Sequence, residues 1–512
     1  MPENLASFKV FCQGGLNTSR DVLSQGENQP GSATALINYE PAVTGGYRKI
    51  NGFANNYGTV TGTGSVLGVV VADGINDGIF ACRKPSSGNN YLHKWNNSSS
   101  AWQAITTSGS PTMVGVTKVR FSRLNFGTPK IVLTDGINPA ATYDGTTYTQ
   151  ITHSDAPTDP KFSAIFQNHL FLAGDPAHPT KLYHSAPLAE TDFASGNGAG
   201  VINVGFPIVA IKSFRNELFI FGATNIKKLS GTALANFTVQ TVTDDLGCLA
   251  TDSVIEIGGD LLFLSQDGLR PISGTAKIGD VNLETVSKNI QSIFTDIVFD
   301  IDLDTLNAVV IRQKTQFRYF FGAADSQGII GGFRQTPNGL QFEYSQMLGI
   351  TATCAHSGYI GQNEIVLHGT SDGKVQQQES GNSFGGDPIF SIFQTPFFHM
   401  QDPEQRKIFY NIATYLRSEG DNSIVMSAVY DYEDVDTLNP TNFNLSTTGA
   451  AAFFNEATYN STAIFDGNPS PVQRTNISGS GKSASFKFVT NDTNASHSVQ
   501  GLVITFGVGD RL

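Results

Sequence analysis

The stretch FRNELFIFG at 214–222 nearly repeats FQNHLFLAG at 166–174, and Asn216 takes the place of Asn168. The copies are spaced roughly 48 residues apart, a period typical of repeat architectures. A chain that repeats a phrase at such a period builds the same supersecondary unit again and buries it against its copies. Each phrase reads as an apolar strand, a polar turn carrying Asn, and a second apolar strand ending in Gly. The repeated positions are Asn168, Leu170, Phe171 and Gly174, then Asn216, Leu218, Phe219 and Gly222. QNEIVLHG adds Asn363, Ile365 and Gly369, with Asn363 about three such periods beyond Asn216. GGDLLFLSQDG puts Asp260 in the place of the Asn, and 127–136 and 316–322 are weaker copies. Asp-Gly pairs begin at Asp73, Asp135, Asp144, Asp267 and Asp372, and suit the positive φ of tight hairpin turns.

From Val60 to Gly381 the chain has room for seven units of about 46 residues, the length of a four-stranded propeller blade. The expected fold is mainly β: a six- or seven-bladed β-propeller over 59–382, an added C-terminal β-sandwich over 383–512, and one short helix. An unrelated series of hairpins in a sandwich is the competing reading. In the propeller, Leu218 and Ile220 face one neighbouring blade, and Phe219 and Phe221 the other. The helix is expected near 283–298, where Val286, Ile290, Ile293 and Ile297 form a stripe, with Asp280 or Asn282 as N-cap. Residues 1–58 are polar and loop-like, an arm that wraps the propeller. KIFYNIATYLR, SIVMSAVYDYED, SASFKFVT and VQGLVITFG are the strands expected of the sandwich.

Charged residues are only 15% of the chain, its 53 glycines are more than usual, and its net charge is −12. An acidic balance argues against a surface that grips nucleic acid through its phosphates. Cys12, Cys82, Cys248 and Cys354 are far apart and read as reduced structural thiols. Residues 1–14 lack the basic-then-apolar pattern of a secretory leader, and no apolar run is long enough to span a membrane.

Few motifs suggest chemistry. NISGSGKS at 476–483 ends like a phosphate loop but lacks the first glycine and precedes a strand. GNGAGV at 196–201 is followed by no helix. Asp300, Asp302 and Asp304 start like a calcium loop but meet Thr305 and Ile311 where Gly and Glu are needed. His169, His178 and His184 lie near Asp175 and could converge on a metal; surface histidines are the simpler reading. No catalytic set, cofactor or metal site is expected, and the chain reads as no enzyme.

Taken in order, GGLN at 14–17, INYEPAVTGGYRKINGF at 37–53, the two hairpin phrases, VSKNIQSIF, DPEQRKIF at 402–409 and the terminal GLVITFGVGDRL resemble the tail nozzle proteins of short-tailed bacteriophages, also called tail tubular protein B or packaged-DNA stabilisation proteins. Some members of that family are much longer. The resemblance implies a homohexameric ring below the tail adaptor, assembled in the host cytoplasm and carried in the virion. Such a ring would retain packaged double-stranded DNA, let it pass without reading its sequence, and dock fibres or spikes outside. Asp402, Glu404, Arg406 and Lys407 are the candidate subunit or adaptor contact, or a solvated turn entering the sandwich. The alternative is a propeller protein of a virion or cell surface that binds or hydrolyses glycans. That reading requires carboxylates, arginines or aromatics converging on the axis. Trp95 and Trp102 are the only tryptophans, and no Trp-Asp dipeptide marks a WD-repeat scaffold.

Overall fold

The repeat resolves, in a computed structural model that describes residues 5–105, 113–275, 285–300, 302–322, 327–336, 339–434, 436–446 and 471–509, into small antiparallel sheets around one axis. Six sheets stand free as blades, over 63–104, 120–150, 162–203, 210–243, 255–271 and 354–378. The fifth has three strands and the others four. Between the fifth and sixth blades the ring is completed by a shared sector, four strands over 307–348 that begin a nine-stranded sheet. The sixth blade takes its outer strand, Phe53–Ala54, from the start of the chain, paired with Gln377 and Gln378.

Strand alternation explains the ring. Leu218 and Ile220 pack on Phe162 and Phe171 of the third blade, while Phe219 and Phe221 pack on Leu261 and Phe263 of the fifth. Each blade thus presents one apolar face to either neighbour, and seven such cores follow one another around the axis. Hairpin turns fix the register. Gln167, Asn168, Arg215 and Asn216 all have positive φ, as a two-residue type I′ turn demands. Gly258–Gly259, both at positive φ, occupy the same turn in the fifth blade, while the two-residue turn of the sixth, Gly361–Gln362, has positive φ only at Gly361. Asp260 and Asn363 therefore stand one residue later than Asn168 and Asn216, first in their strands.

The described residues beyond 383 supply strands of two facing sheets around a common core, as a sandwich does. Their hydrogen bonding does not stop at residue 383. Ala35–Ile37 pairs with the shared sector on one side and with Ile389–Gln394 on the other, so one sheet runs through both bodies. Leu5–Phe11 and Tyr47–Lys49 pair with His497–Val508 in the second sheet. The arm is built into the fold rather than laid over it. Its one helix, Val22–Asn28, is capped by the Asp21 carboxylate, which accepts from the Ser24 N–H at 2.8 Å. After a short helical turn at Ile272–Thr275, the longest helix spans Gln291–Asp300 behind a 3-10 turn at Lys288–Ile290, so it starts later than the stripe implied; Asp280, Asn282 and positions 283–284 lie outside the described residues. Ile290 and Phe294 bury its inner face. All four cysteines are buried and free.

A buried charge network fastens these parts. Glu40, 3% exposed, accepts from Arg48 at 3.0 Å, Lys314 at 2.7 Å and Gln316 at 3.0 Å, and faces Arg318 at 3.6 Å. Arg318, wholly buried, also binds Glu379 and donates to Gln378 at 2.8 Å. Arg48 reaches Glu419 at 2.5 Å. Arm, shared sector, sixth blade and second body thus meet in one cluster. Burial works to raise the Glu40 carboxyl, but the charges of Lys314, Arg48 and Arg318 outweigh it and hold it below its ordinary value. Replacing Glu40 with Ala strands buried cations and is expected to cost about 3–5 kcal/mol in urea unfolding. A loss under about 1 kcal/mol would show that the network does not hold the bodies together.

Candidate functional site

The first strands of the blades and of the shared sector all run the same way along the axis. Residues at or just before the starts of five of them, those of the first, second, third and sixth blades and of the shared sector, line one cavity of about 370 Å³, and residues from all seven sectors line a second of about 540 Å³. Every sector contributes to the larger chamber: Val69, Arg120, Ser163, Lys212, Asn307 and His356 are examples.

Lys118 and Arg120 border both cavities. They meet Asp252, which sits in the short 3-10 turn Thr251–Ser253 leading into the fifth blade. Arg120 grips Asp252 with two parallel bonds, Nε to Oδ1 at 2.9 Å and Nη2 to Oδ2 at 2.7 Å, the strong bidentate geometry of a guanidinium on a carboxylate. Lys118 adds a contact at 2.7 Å and donates to the carbonyls of Asp304 and Leu306. This bridge joins the second blade to the fifth across the axis. Burial works to raise the Asp252 carboxyl, and Arg120 and Lys118 overcome it and lower it. Lys118 is itself lowered, by burial first, so the Arg120 fork is the stronger half of the clamp. Asp252 is the only carboxylate in the larger chamber among the described residues, and it is held by two cations.

Past the bridge the chamber is lined by Arg123, Lys212 and His356, with the Ser122 and Ser163 hydroxyls 2.7 Å apart. His356 accepts the Val71 N–H on Nδ1 at 3.2 Å. Its imidazole is pushed down to about 4 by burial and by the charges of Lys212, Arg312 and Arg123. None of these axial residues was singled out by the sequence. The available signal was KVRFSR at 118–123, where Lys118, Arg120 and Ser122 alternate onto one strand face.

The residues that were singled out lie elsewhere. His169 and His184 come together, ring centroids 5.1 Å apart, but both turn a ring nitrogen toward the Ser185 carbonyl. Asp175 accepts from the Thr158 and Ala177 N–H groups. No group of three metal-ligating side chains forms among the described residues. Asp302 and Asp304 shape a turn, with Asp304 near Lys161 at 3.3 Å. Ser480–Gly481 is a short strand and Gly200–Asn203 another, so neither glycine-rich stretch cradles a phosphate. Trp95 and Trp102 pair across the outer strands of the first blade and pack on each other, 5.5 Å apart, away from the axis. Lys407 is buried and donates to the Asp402 and Lys482 carbonyls. Glu404 and Arg406 are exposed; Glu404 faces Lys482 at 3.4 Å and Arg406 donates to Ser480.

No family model and no curated protein matches the chain. Among solved structures, it is similar to the extracellular domain of a putative one-component system from B. thetaiotaomicron, at 13% identity and TM-score 0.41, over 66% of this chain and 41% of that one. It is similar to an ancestral GH74 enzyme at 11% and 0.39, over 73% of this chain and 53% of that one. It is also similar to Hsv2 of Kluyveromyces lactis at 9% and 0.31, over 52% of this chain and 82% of that one. The chain thus spans about half or less of the length of the first two. These likenesses are too distant to bear on what it does.

The Asp252 clamp predicts a pH signature. Asp252→Asn leaves Lys118 and Arg120 facing each other, at an expected cost of about 1–3 kcal/mol at pH 7, discounted for partial exposure. A lowered carboxyl stabilises the fold fully above its unfolded value of ~3.9 and loses that contribution as pH falls through the folded value. Urea titrations of both proteins should converge as pH drops below about 4; a gap that stays constant with pH would refute the clamp.

Proposed function

We propose that the chain is a structural subunit of a phage tail nozzle, forming a ring with copies of itself below an adaptor and around the path of the DNA. The observation that carries this reading is one exposed sheet face. In the sheet of Leu5–Phe11, His497–Val508 and Lys407–Ser418, cross-strand rows place Leu5, Gly507 and Ile408 together, and Phe11, Gly501 and Tyr415 together. Leu5 is 60% exposed, Phe11 70%, Ile408 40% and Tyr415 41%. Paired apolar side chains flanking a glycine, with exposed Lys9 and Arg474 in the row between them, make a mixed apolar and cationic surface of the kind that subunit contacts cover. Exposed Glu404 and Arg406 lie just ahead of Ile408, which supports the segment as part of that contact. The buried network around Glu40 supports the same reading, because a ring subunit needs its two bodies held rigidly. Two of its members, Glu40 and Arg48, also fall within residues 37–53, part of the stretch on which the family resemblance rests.

A glycan-binding propeller is the second reading, favoured by the polar chamber on the axis. Glycan hydrolysis is less supported, since its usual pair of free carboxylates has no counterpart in the larger chamber among the described residues, where Asp252 is the one carboxylate.

Mass photometry and electron microscopy of the full chain, with antibody labelling of phage particles, test the first reading. A ring, dispersed to monomers by Phe11→Asp with Tyr415→Asp, is the expected outcome. A chain that stays monomeric at every concentration and never labels a tail overturns it.

A further inference from the structure

The axial chamber is electropositive in a protein of net charge −12. Lys118, Arg120, Arg123 and Lys212 line it against the single carboxylate of Asp252, which Lys118 and Arg120 already bind. Arg123 and Lys212 are left with no lining carboxylate. Arg123 donates to the neutral Asp73 carbonyl at 2.7 Å. The Lys212 ammonium has no hydrogen-bond or ion-pair partner among the described residues. Burial lowers it below the ordinary lysine value; the Glu256 carboxylate partly offsets this, and Arg312 adds to it. A half-buried, unpaired ammonium is unfavourable, and what it lacks is an anion.

Its neighbours fit the same missing group. Because His356 accepts the Val71 N–H on Nδ1, its neutral ring carries the proton on Nε2 and has one donor left. Lys212, Arg312 and Arg123 all disfavour a charge on this ring, and Lys212 and Arg123 line the chamber with it. Glu364, the acid beside Arg312, does not fill the gap: it accepts from the Ser357 hydroxyl at 2.8 Å and from the Arg312 and Gln313 N–H groups. Ser122 and Ser163 add hydroxyls from the second and third blades. A chamber of about 540 Å³ is the size that holds one small ligand, and the Asp252 bridge bars the axis behind it.

We propose that this chamber binds a phosphate or sulfate group between Arg123, Lys212 and His356, either as the free ion or carried on a small sugar. Unlike the nozzle and glycan readings, the proposal rests on the chamber alone and holds under either. Isothermal titration calorimetry of the full chain tests it, at an ionic strength held constant with chloride. The probes are inorganic phosphate, glucose 6-phosphate and a sulfated disaccharide. Saturable binding at one site is expected for at least one probe. Lys212→Met is expected to weaken it about tenfold or more, equivalent to the loss of one charge-assisted hydrogen bond. Arg123→Gln, at the exposed rim, is expected to weaken it at least about threefold. Lys130→Gln, which removes a contact to Glu190 away from the axis, leaves it unchanged. Tighter binding of the sugar-borne probes assigns the site to a sugar ester, and equal binding to the free ion. No saturable binding with any probe, or equal affinity in the parent and Arg123→Gln, overturns the proposal. Arg123→Gln decides alone if Lys212→Met does not fold.

Discussion

The rest of the fold depends on the buried carboxylate of Glu40. It lies in the arm yet is contacted from the shared sector by Lys314, Gln316 and Arg318, and Arg318 in turn holds Glu379 beside the sixth blade. A carboxylate this deep is tolerable only with its cations in place. The network therefore fixes where the arm must run. With Glu40 placed, Ala35–Ile37 falls between the shared sector and Ile389–Gln394, and Asn38 clips both sides, donating to the Leu348 and Phe390 carbonyls at 2.8 Å. Further along, Phe53–Ala54 reaches the open edge of the sixth blade.

That last pairing closes the ring. A propeller made from a linear chain has a first and a last blade, and each would otherwise offer an unpaired strand edge. Here the last blade is finished by residues that precede the first. The core between them, Val69 and Val71 against Leu367 and Val375, is sealed only when both ends of the propeller segment are in place. Opening the ring therefore costs both strand pairing and interblade packing.

The blades were legible because their signal is local. Leu218, Phe219, Ile220 and Phe221 alternate with a period of two, and that alternation put the two pairs on opposite faces, as they pack. The turns were legible too, although by chemistry rather than position. Asn and Asp favour both a turn and the residue beside it, so Asn363 and Asp260 read as turn residues one place early. The shared sheet was not legible. Ala35–Ile37 is a very short strand, and its partners lie at the far end of the chain, a pairing that leaves no periodic trace. The sequence drew a boundary at 383 from a change in composition, and hydrogen bonds cross it.

The axial site was hidden for a related reason. Arg123, Lys212, Asp252 and His356 belong to four different sectors, and in the sequence each is a polar residue that could equally face solvent. Only ring closure puts those strand faces on one axis. Net charge misleads here as well. A balance of −12 describes the average surface and predicts weak attraction for anions. A concave chamber instead takes its potential from the few groups that line it, in surroundings where charges are poorly screened. An acidic protein can therefore hold a cationic pocket at its centre. The same acidity outside keeps long polyanions from adhering, while a single small anion that enters the axis meets Arg123 and Lys212 at close range.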